Sequence, residues 1–300
     1  MGAISAARDA GQALVRNPVV FLATFGLALV QVPQQALQFF GLNVAGSLYG
    51  LATVVVTPLF TAGILSMAHE ALDESTGLST FVEGGKEHYL TMLLSTLLYS
   101  AVFAAIGFVT AFVLIIAGVF VIGLSAAGTG GVSMVSLGIV GVLVLLAVAV
   151  FFVLSMLLQF FSPAIVVDDA DIGESFKRSY RLARENLVSV FGFTVLKAIP
   201  GTLAGGSVVL LLFARYYREF SRGGFGENPA MAESLFVNGS VYGGLETATF
   251  AAIVLVGIAS TTLVTAFTQT YLLTYYVEHA DAEPSGTQRF EEEYDLPSGY

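Results

Sequence analysis

Few side chains in this 300-residue sequence can do chemistry, and each admits a narrow set of readings. Lys197 stands in a long apolar run about ten residues after Leu187, roughly 15 Å along a helix, with Pro200-Gly201 just beyond it. A charge at that depth costs several kcal/mol unless it is paired or hydrated, which makes it a default binding-site hypothesis. Gln31, Gln34, Gln35 and Gln38 fall within about 100° of one helical face beside Pro33, and Gln159 and Gln269 add amides in later apolar runs. Buried amides need partners, so the stripe is either glue between helices or one wall of a hydrated pocket. That pocket would use Lys197, Pro200, Gln31, Gln35 and Gln38 to hold an anionic headgroup or solute. Lys177, Arg178, Arg181 and Arg184 form a second group, suited to anionic lipid or to a membrane protein partner. Its plainer role is to set topology.

Catalytic and metal chemistry find little support. His69-Glu70-Ala71-Leu72-Asp73 imitates half of a zinc-binding helix but lacks the second histidine of HExxH. His88 and His279 sit beside Glu87 and Glu278 at the ends of apolar runs. Asp168-Asp169 reads as helix capping rather than paired acid–base catalysis. No GxSxG, Gly-rich phosphate loop or dinucleotide fingerprint occurs. A non-enzymatic chain with no cofactor and no metal is therefore expected.

The elements that position these groups are six apolar stretches: Pro18–Gln38, Val44–Ala68, Tyr89–Leu124, Val132–Phe161, Leu187–Ala214 and Glu246–Val277. Each supplies about the 20 residues a helix needs to cross hydrocarbon. With 56% hydrophobic and 11% charged residues, lipid is the expected solvent. Mean hydropathy is +0.82. Backbone groups in lipid must pair within the segment or in a closed barrel, and these runs are too continuous for barrel strands. The expectation is an all-α, polytopic six-helix bundle over 1–278, with short amphipathic cytoplasmic helices. Residues 279–300, with Glu291-Glu292-Glu293, read as an acidic disordered tail. The first run reads as an uncleaved span rather than a signal peptide.

Lys and Arg counts give orientation. Arg8, Arg16, Lys86, Lys177, Arg178, Arg181, Arg184 and Arg289 share one side, and Arg215, Arg218 and Arg222 the other. Both termini are thus expected in the cytoplasm of a cell-membrane protein. The outer connection carries the one sequon, Asn238-Gly239-Ser240. A net charge of −10 argues against nucleic-acid binding and fits a chain adapted to concentrated salt, where screening suppresses self-repulsion. Cysteine and tryptophan are absent, so the interfacial belt is expected to use tyrosines: Tyr89, Tyr216, Tyr217, Tyr271, Tyr275 and Tyr276.

Asp171–Asn186 is the best-defined surface element. Asp171 and Glu174 mark its start, and Ile172, Phe176, Tyr180, Ala183 and Leu187 recur at helical spacing as its apolar face. Ala7–Val20 and Phe176–Val188 share a pattern of charged helix running into a span, and Ser79–Tyr89 is a looser copy. Three units of surface helix plus helical hairpin follow, an arrangement seen in transporters.

Several short stretches carry a resemblance. Pro58–Gly63, Met67–Asp73, Leu78–Gly85 with Tyr89, Arg16–Val19 and Val32–Gln38 resemble an uncharacterised membrane family of halophilic archaea, a domain of unknown function. Ser175-Phe176-Lys177-Arg178-Ser179-Tyr180-Arg181-Leu182 is similar to a stretch in the membrane domain attached to some bacterial glycerophosphodiester phosphodiesterases. The resemblance implies a six-helix fold and no assigned activity, and the hydrolase domain itself is missing here. Glu74-Ser75 stands where that pattern has a glycine and a basic residue. The expected function is organisation of lipid or protein partners at the cytoplasmic face; the alternative is a small transporter or permease with its site between the first and fifth spans.

Overall fold

A computed structural model of the protein describes residues 2–126, 134–202 and 246–280, and every regular element among them is a helix. They are α1 (Ala3–Arg16), α2 (Val19–Phe39), α3 (Asn43–Asp73), α4 (Leu78–Glu87), α5 (Tyr89–Ala126), α6 (Met134–Leu158), α7 (Phe161–Asp168) and α8 (Ile172–Glu185). The apolar helix α9 is described over Leu187–Thr202, and α10 spans Thr247–Ala280. Five segments are long and apolar enough to cross a membrane: Val19–Phe39, Asn43–Asp73, Tyr89–Val119, Gly138–Asp168 and Thr247–Ala280. The protein is an all-α polytopic membrane protein. Of the expected fifth span only α9 is described. Gly205, Gly206, the sequon, Arg215, Arg218, Arg222, Tyr216, Tyr217 and residues 281–300 lie outside the described residues.

The order places a surface helix before each of three helical pairs: α1 before α2–α3, α4 before α5–α6, and α8 before α9–α10. An asparagine stands at two of the joints. Asn17 Nδ2 donates back to Ala13 O at 3.2 Å, and Asn186 Nδ2 to Leu182 O at 3.2 Å. Asn17 also reaches across the fold: Nδ2 donates to Ala71 O at 3.3 Å and Glu74 O at 3.4 Å, while Oδ1 accepts from Thr76 N at 3.0 Å. The end of α1 is thereby tied to the end of α3. The α2–α3 turn is closed by Gly41 at φ +75°, with Leu42 N donating to Leu37 O at 2.8 Å. That left-handed position favours glycine.

Inside their spans, Pro33 of α2 and Pro58 of α3 each remove a backbone donor. In both cases a tyrosine hydroxyl bonds the carbonyl three residues before the proline. Tyr49 Oη donates to Val30 O at 2.9 Å, and Tyr89 Oη to Val55 O at 3.1 Å. Each bond from a neighbouring helix falls one residue after the carbonyl that the proline leaves without its helical donor, Leu29 or Val54, and so ties the helix to its neighbour where its own ladder is interrupted.

Burial concentrates at the pole where the surface helices gather. One core joins Ala6 and Ala10 of α1, Leu182 and Ala183 of α8, Phe193 of α9 and Tyr271, Tyr275 and Tyr276 of α10. A second joins Leu14, Val20, Leu27, Ile64 and Met67, and a third Ala62, Leu65, Met92, Ile165 and Leu273. Three tyrosines expected in an interfacial belt are instead core residues: Tyr271 and Tyr275 are 0% exposed and Tyr276 is 1% exposed. Their hydroxyls find partners inside the fold, Tyr271 on Ala3 O at 2.9 Å and Tyr275 on Ser189 Oγ at 2.8 Å. A buried tyrosine is stable only when its hydroxyl is so satisfied.

The face that α8 buries also differs from the expected one. Ser175, Ser179, Leu182 and Ala183 are buried, whereas Tyr180 and Leu187 are exposed. The reason is a break between α6 and α7. Ser179 Oγ accepts from Phe160 N at 3.0 Å and donates to Leu157 O at 2.8 Å, filling two backbone bonds the break leaves open. A hydroxyl satisfied inside outweighs the apolar surface that stays outside.

Candidate functional site

The basic group falls on α8, and the local sequence explains the helix. Asp171 is its N-cap, with the carboxylate accepting from Glu174 N at 2.8 Å. The cap and the acidic first turn favour initiation, and Arg184 in the last turn suits the opposite end of the dipole. Between α8 and the first turns of α5 lies a cleft of about 750 Å³, lined by Thr91, Asp171, Ile172, Gly173, Glu174, Lys177, Arg178 and Arg181. Three of the four expected basic residues therefore converge on it. Arg184, also exposed on α8, is not in its wall.

Arg178 is held in place by two carboxylates. Its Nη1 lies 2.6 Å from Asp168 Oδ2, and its Nε donates to Glu174 Oε1 at 2.9 Å. Asp168 also accepts from the hydroxyl of Tyr276, which links α7, α8 and α10 at one point. Partial burial disfavours the charge on Arg178, but the hydrogen bonds to Glu174 and Asp168 and their negative charges outweigh it. Its pKa rises above the ordinary guanidinium value. The next residue, Asp169, takes a left-handed conformation at φ 49° that ends α7, and His88 Nδ1 lies 3.7 Å from its carboxylate. The Asp168-Asp169 pair is thus an ion-pair anchor followed by a helix cap. Both carboxylates of the cleft wall are engaged, Asp171 in capping and Glu174 on Arg178.

Lys197 has a different neighbourhood. Its Nζ donates to Gln159 Oε1 at 3.0 Å, and Gln159 Nε2 donates to Thr194 Oγ1 at 2.8 Å. The ammonium also lies 5.7 Å from the centroid of the Phe193 ring. Lys197 and the fourth-span glutamine are therefore brought together at the α6–α7 break. The first-span glutamines meet another element: Gln34 lies over Gly50 and Gln38 over Gly46 of α3. Gln31, Gln35 and Gln38 are half-buried on α2, which packs on α3 and α10. Pro200 stays within helical α9 up to Thr202.

His69 and His88 share a cleft of about 460 Å³ with Ser66, Glu70, Asp73, Glu74, Thr80, Glu83 and Glu87, between α3 and α4. Thr80 Oγ1 donates to Glu70 Oε2 there at 2.6 Å. His279 sits elsewhere, with Nδ1 2.9 Å from Tyr275 O and its ring stacked on Tyr275 at 4.0 Å. Among the described residues no three His, Asp or Glu side chains are grouped to hold a metal ion.

Asn17, Ser179, Thr194 and Tyr276 were not singled out by sequence reasoning as positioning residues. Only Asn17 left a signal, since it and Asn186 stand at matching places where a charged helix runs into a span. No curated protein and no solved structure matches the chain. A family model described as a domain of unknown function, DUF7847, matches residues 1–279, and the chain belongs to that family.

Proposed function

We propose that this chain is a multi-pass protein of the cell membrane, with both termini cytoplasmic, that holds anionic lipid headgroups at its cytoplasmic face without catalysing a reaction. The observation that carries this reading is the cleft between α8 and α5, where Lys177, Arg178 and Arg181 meet beside Thr91. The described basic residues support the orientation. Arg8, Arg16, Lys86 and the α8 group all lie on α1, α4 and α8, the surface helices of one pole.

The acid excess, 22 against 12, supports a halophilic archaeal setting. In about 1 M salt the screening length falls to about 3 Å. A diffuse basic patch then loses its hold on a charged surface, whereas a cleft in direct contact with a headgroup keeps it. The similarity of Ser175–Leu182 to the membrane domain attached to some bacterial glycerophosphodiester phosphodiesterases also fits a lipid-linked role.

Neutralising two charges with Lys177→Gln and Arg181→Gln removes about 2 kcal/mol, or roughly 30-fold in affinity for phosphatidylglycerol. Native mass spectrometry of the purified full chain reads this directly, with phosphatidylcholine as the neutral control and a topology reporter to show unchanged orientation. Equal retention of phosphatidylglycerol by wild type and variant would refute the reading.

A small transporter is the second reading, favoured by the polar chain Lys197–Gln159–Thr194 within the apolar bundle. It predicts solute flux that Lys197→Met abolishes.

A further inference from the structure

Resting on the headgroup reading above, we infer that the cleft between α8 and α5 reads the far end of the headgroup as well as its phosphate. It takes a phosphodiester whose head carries hydroxyl donors, as phosphoglycerol does. The observation behind this is a wall of two signs. Asp171, Glu174, Lys177, Arg178 and Arg181 all line the cleft. Spacings of three and four residues put them on one face of α8. The carboxylates stand at the N-cap and in the first turn, and the cations in the turns that follow.

Charge alone does not favour an anion there. With Asp168 behind Arg178 counted, three carboxylates face the cations Lys177, Arg178 and Arg181. A bare phosphate is attracted by the cations and repelled by Glu174 and Asp171, so much of the attraction is offset. Capping does not require the charge on Asp171, because asparagine or serine caps a helix equally well. Each carboxylate also keeps one acceptor in hand. Asp171 receives Glu174 N on Oδ1, and Glu174 receives Arg178 on Oε1. Among the described residues no donor is bonded to Asp171 Oδ2 or Glu174 Oε2, and no ion pair occupies the exposed Lys177.

Length selects the head. Along α8, Asp171 and Lys177 are about 9 Å apart, and Glu174 and Arg181 about 10 Å. A glycerol head extends about 6 Å from phosphorus to its terminal hydroxyl. Hydrogen bonds of about 2.8 Å at both ends bring its reach to about 12 Å. A phosphate against Lys177 and Arg181 thus puts the head's hydroxyls at Glu174 and Asp171, where they donate to Oε2 and Oδ2. A head without donors leaves both carboxylates facing the phosphate. An ammonium head satisfies the carboxylates but cancels the negative charge that Lys177 and Arg181 attract.

The experiment uses the full-length protein in detergent and ranks four dioleoyl lipids by native mass spectrometry. They are phosphatidylglycerol, phosphatidylmethanol (an anionic phosphodiester with no donor), phosphatidylethanolamine and phosphatidylcholine. Wild type is expected to bind phosphatidylglycerol about tenfold more tightly than phosphatidylmethanol. Asp171→Asn keeps a capping side chain and turns the spare acceptor into a donor. It should cut that preference below about threefold and raise phosphatidylmethanol binding, since one repelling charge is gone. Glu174→Gln should act in the same direction and serves if the first variant disturbs α8. Equal wild-type affinity for phosphatidylglycerol and phosphatidylmethanol, both above phosphatidylcholine, would overturn the hydroxyl subsite and leave the headgroup reading standing. So would a preference that survives both substitutions, or tighter binding of phosphatidylethanolamine than of phosphatidylglycerol. Absence of any preference for the two anionic lipids over phosphatidylcholine would remove both readings.

Discussion

Substituting Gly63 by alanine tests whether α4 is seated on α3. A Cβ at Gly63 would lie 2.5 Å from Phe81 Cδ2 and 2.6 Å from Phe81 O. Carbon atoms pack best at about 3.5–4.0 Å, so α4 must lift by roughly 1 Å. A rotamer change relieves only the ring contact; the carbonyl belongs to the backbone. The lift also disturbs the edge-on contact of Phe81 with Phe60 at 5.4 Å and the approach of Gly85 to Leu59 O, where a Cβ would stand at 3.2 Å. Overpacking of this kind costs about 1–3 kcal/mol, and about 2 kcal/mol is expected here. Gly118 in α5 is the control, because nothing lies within 4 Å of its Cβ position. Unfolding in mixed micelles of rising dodecyl sulfate content, followed by tyrosine fluorescence, compares Gly63→Ala with Gly118→Ala. Helices that persist in dodecyl sulfate cancel the propensity difference between glycine and alanine, so Gly118→Ala should match wild type. A Gly63→Ala midpoint equal to that of Gly118→Ala would refute the seating of α4.

The same unfolding assay checks three further expectations. Gln159→Leu leaves Lys197 without its amide partner and should cost about 2–3 kcal/mol, whereas the double variant Gln159→Leu/Lys197→Met should recover most of it. Additive losses would mean that the two side chains do not interact. Asn17→Ala removes a buried amide with three donor contacts and one acceptor contact, and should cost about 2–3 kcal/mol; a loss below about 0.5 kcal/mol would deny it the role of tie between α1 and α3. Arg178→Lys loses the fork that meets both Asp168 and Glu174 and should cost about 1–2 kcal/mol. Because the folded pKa of Arg178 is raised, its contribution is complete below the ordinary guanidinium value and is lost only in strong alkali. The gap between wild type and Arg178→Lys should therefore stay constant from about pH 6 to 9. A gap that closed in that window would mean another group sets it.

The all-α membrane class, the positions of five of the six apolar stretches, the Asp171 cap and the order of surface helices before spans were all legible in the sequence. Each depends on composition within a few turns of one helix, and hydropathy, capping chemistry and length are local properties. Which side chains meet was decided by the tertiary structure alone. Lys197 pairs with Gln159 of the fourth span, the tyrosines of α10 enter the core, and α8 buries its serines while Tyr180 faces outward. In water an apolar stripe marks the buried face of a helix, but in lipid the outward face is equally apolar, so that signal disappears. Partners such as Ser179 for the broken backbone at Phe160, or Asp168 for Arg178, arise only where separate helices converge. Their geometry is set by packing across the bundle rather than by spacing along the chain.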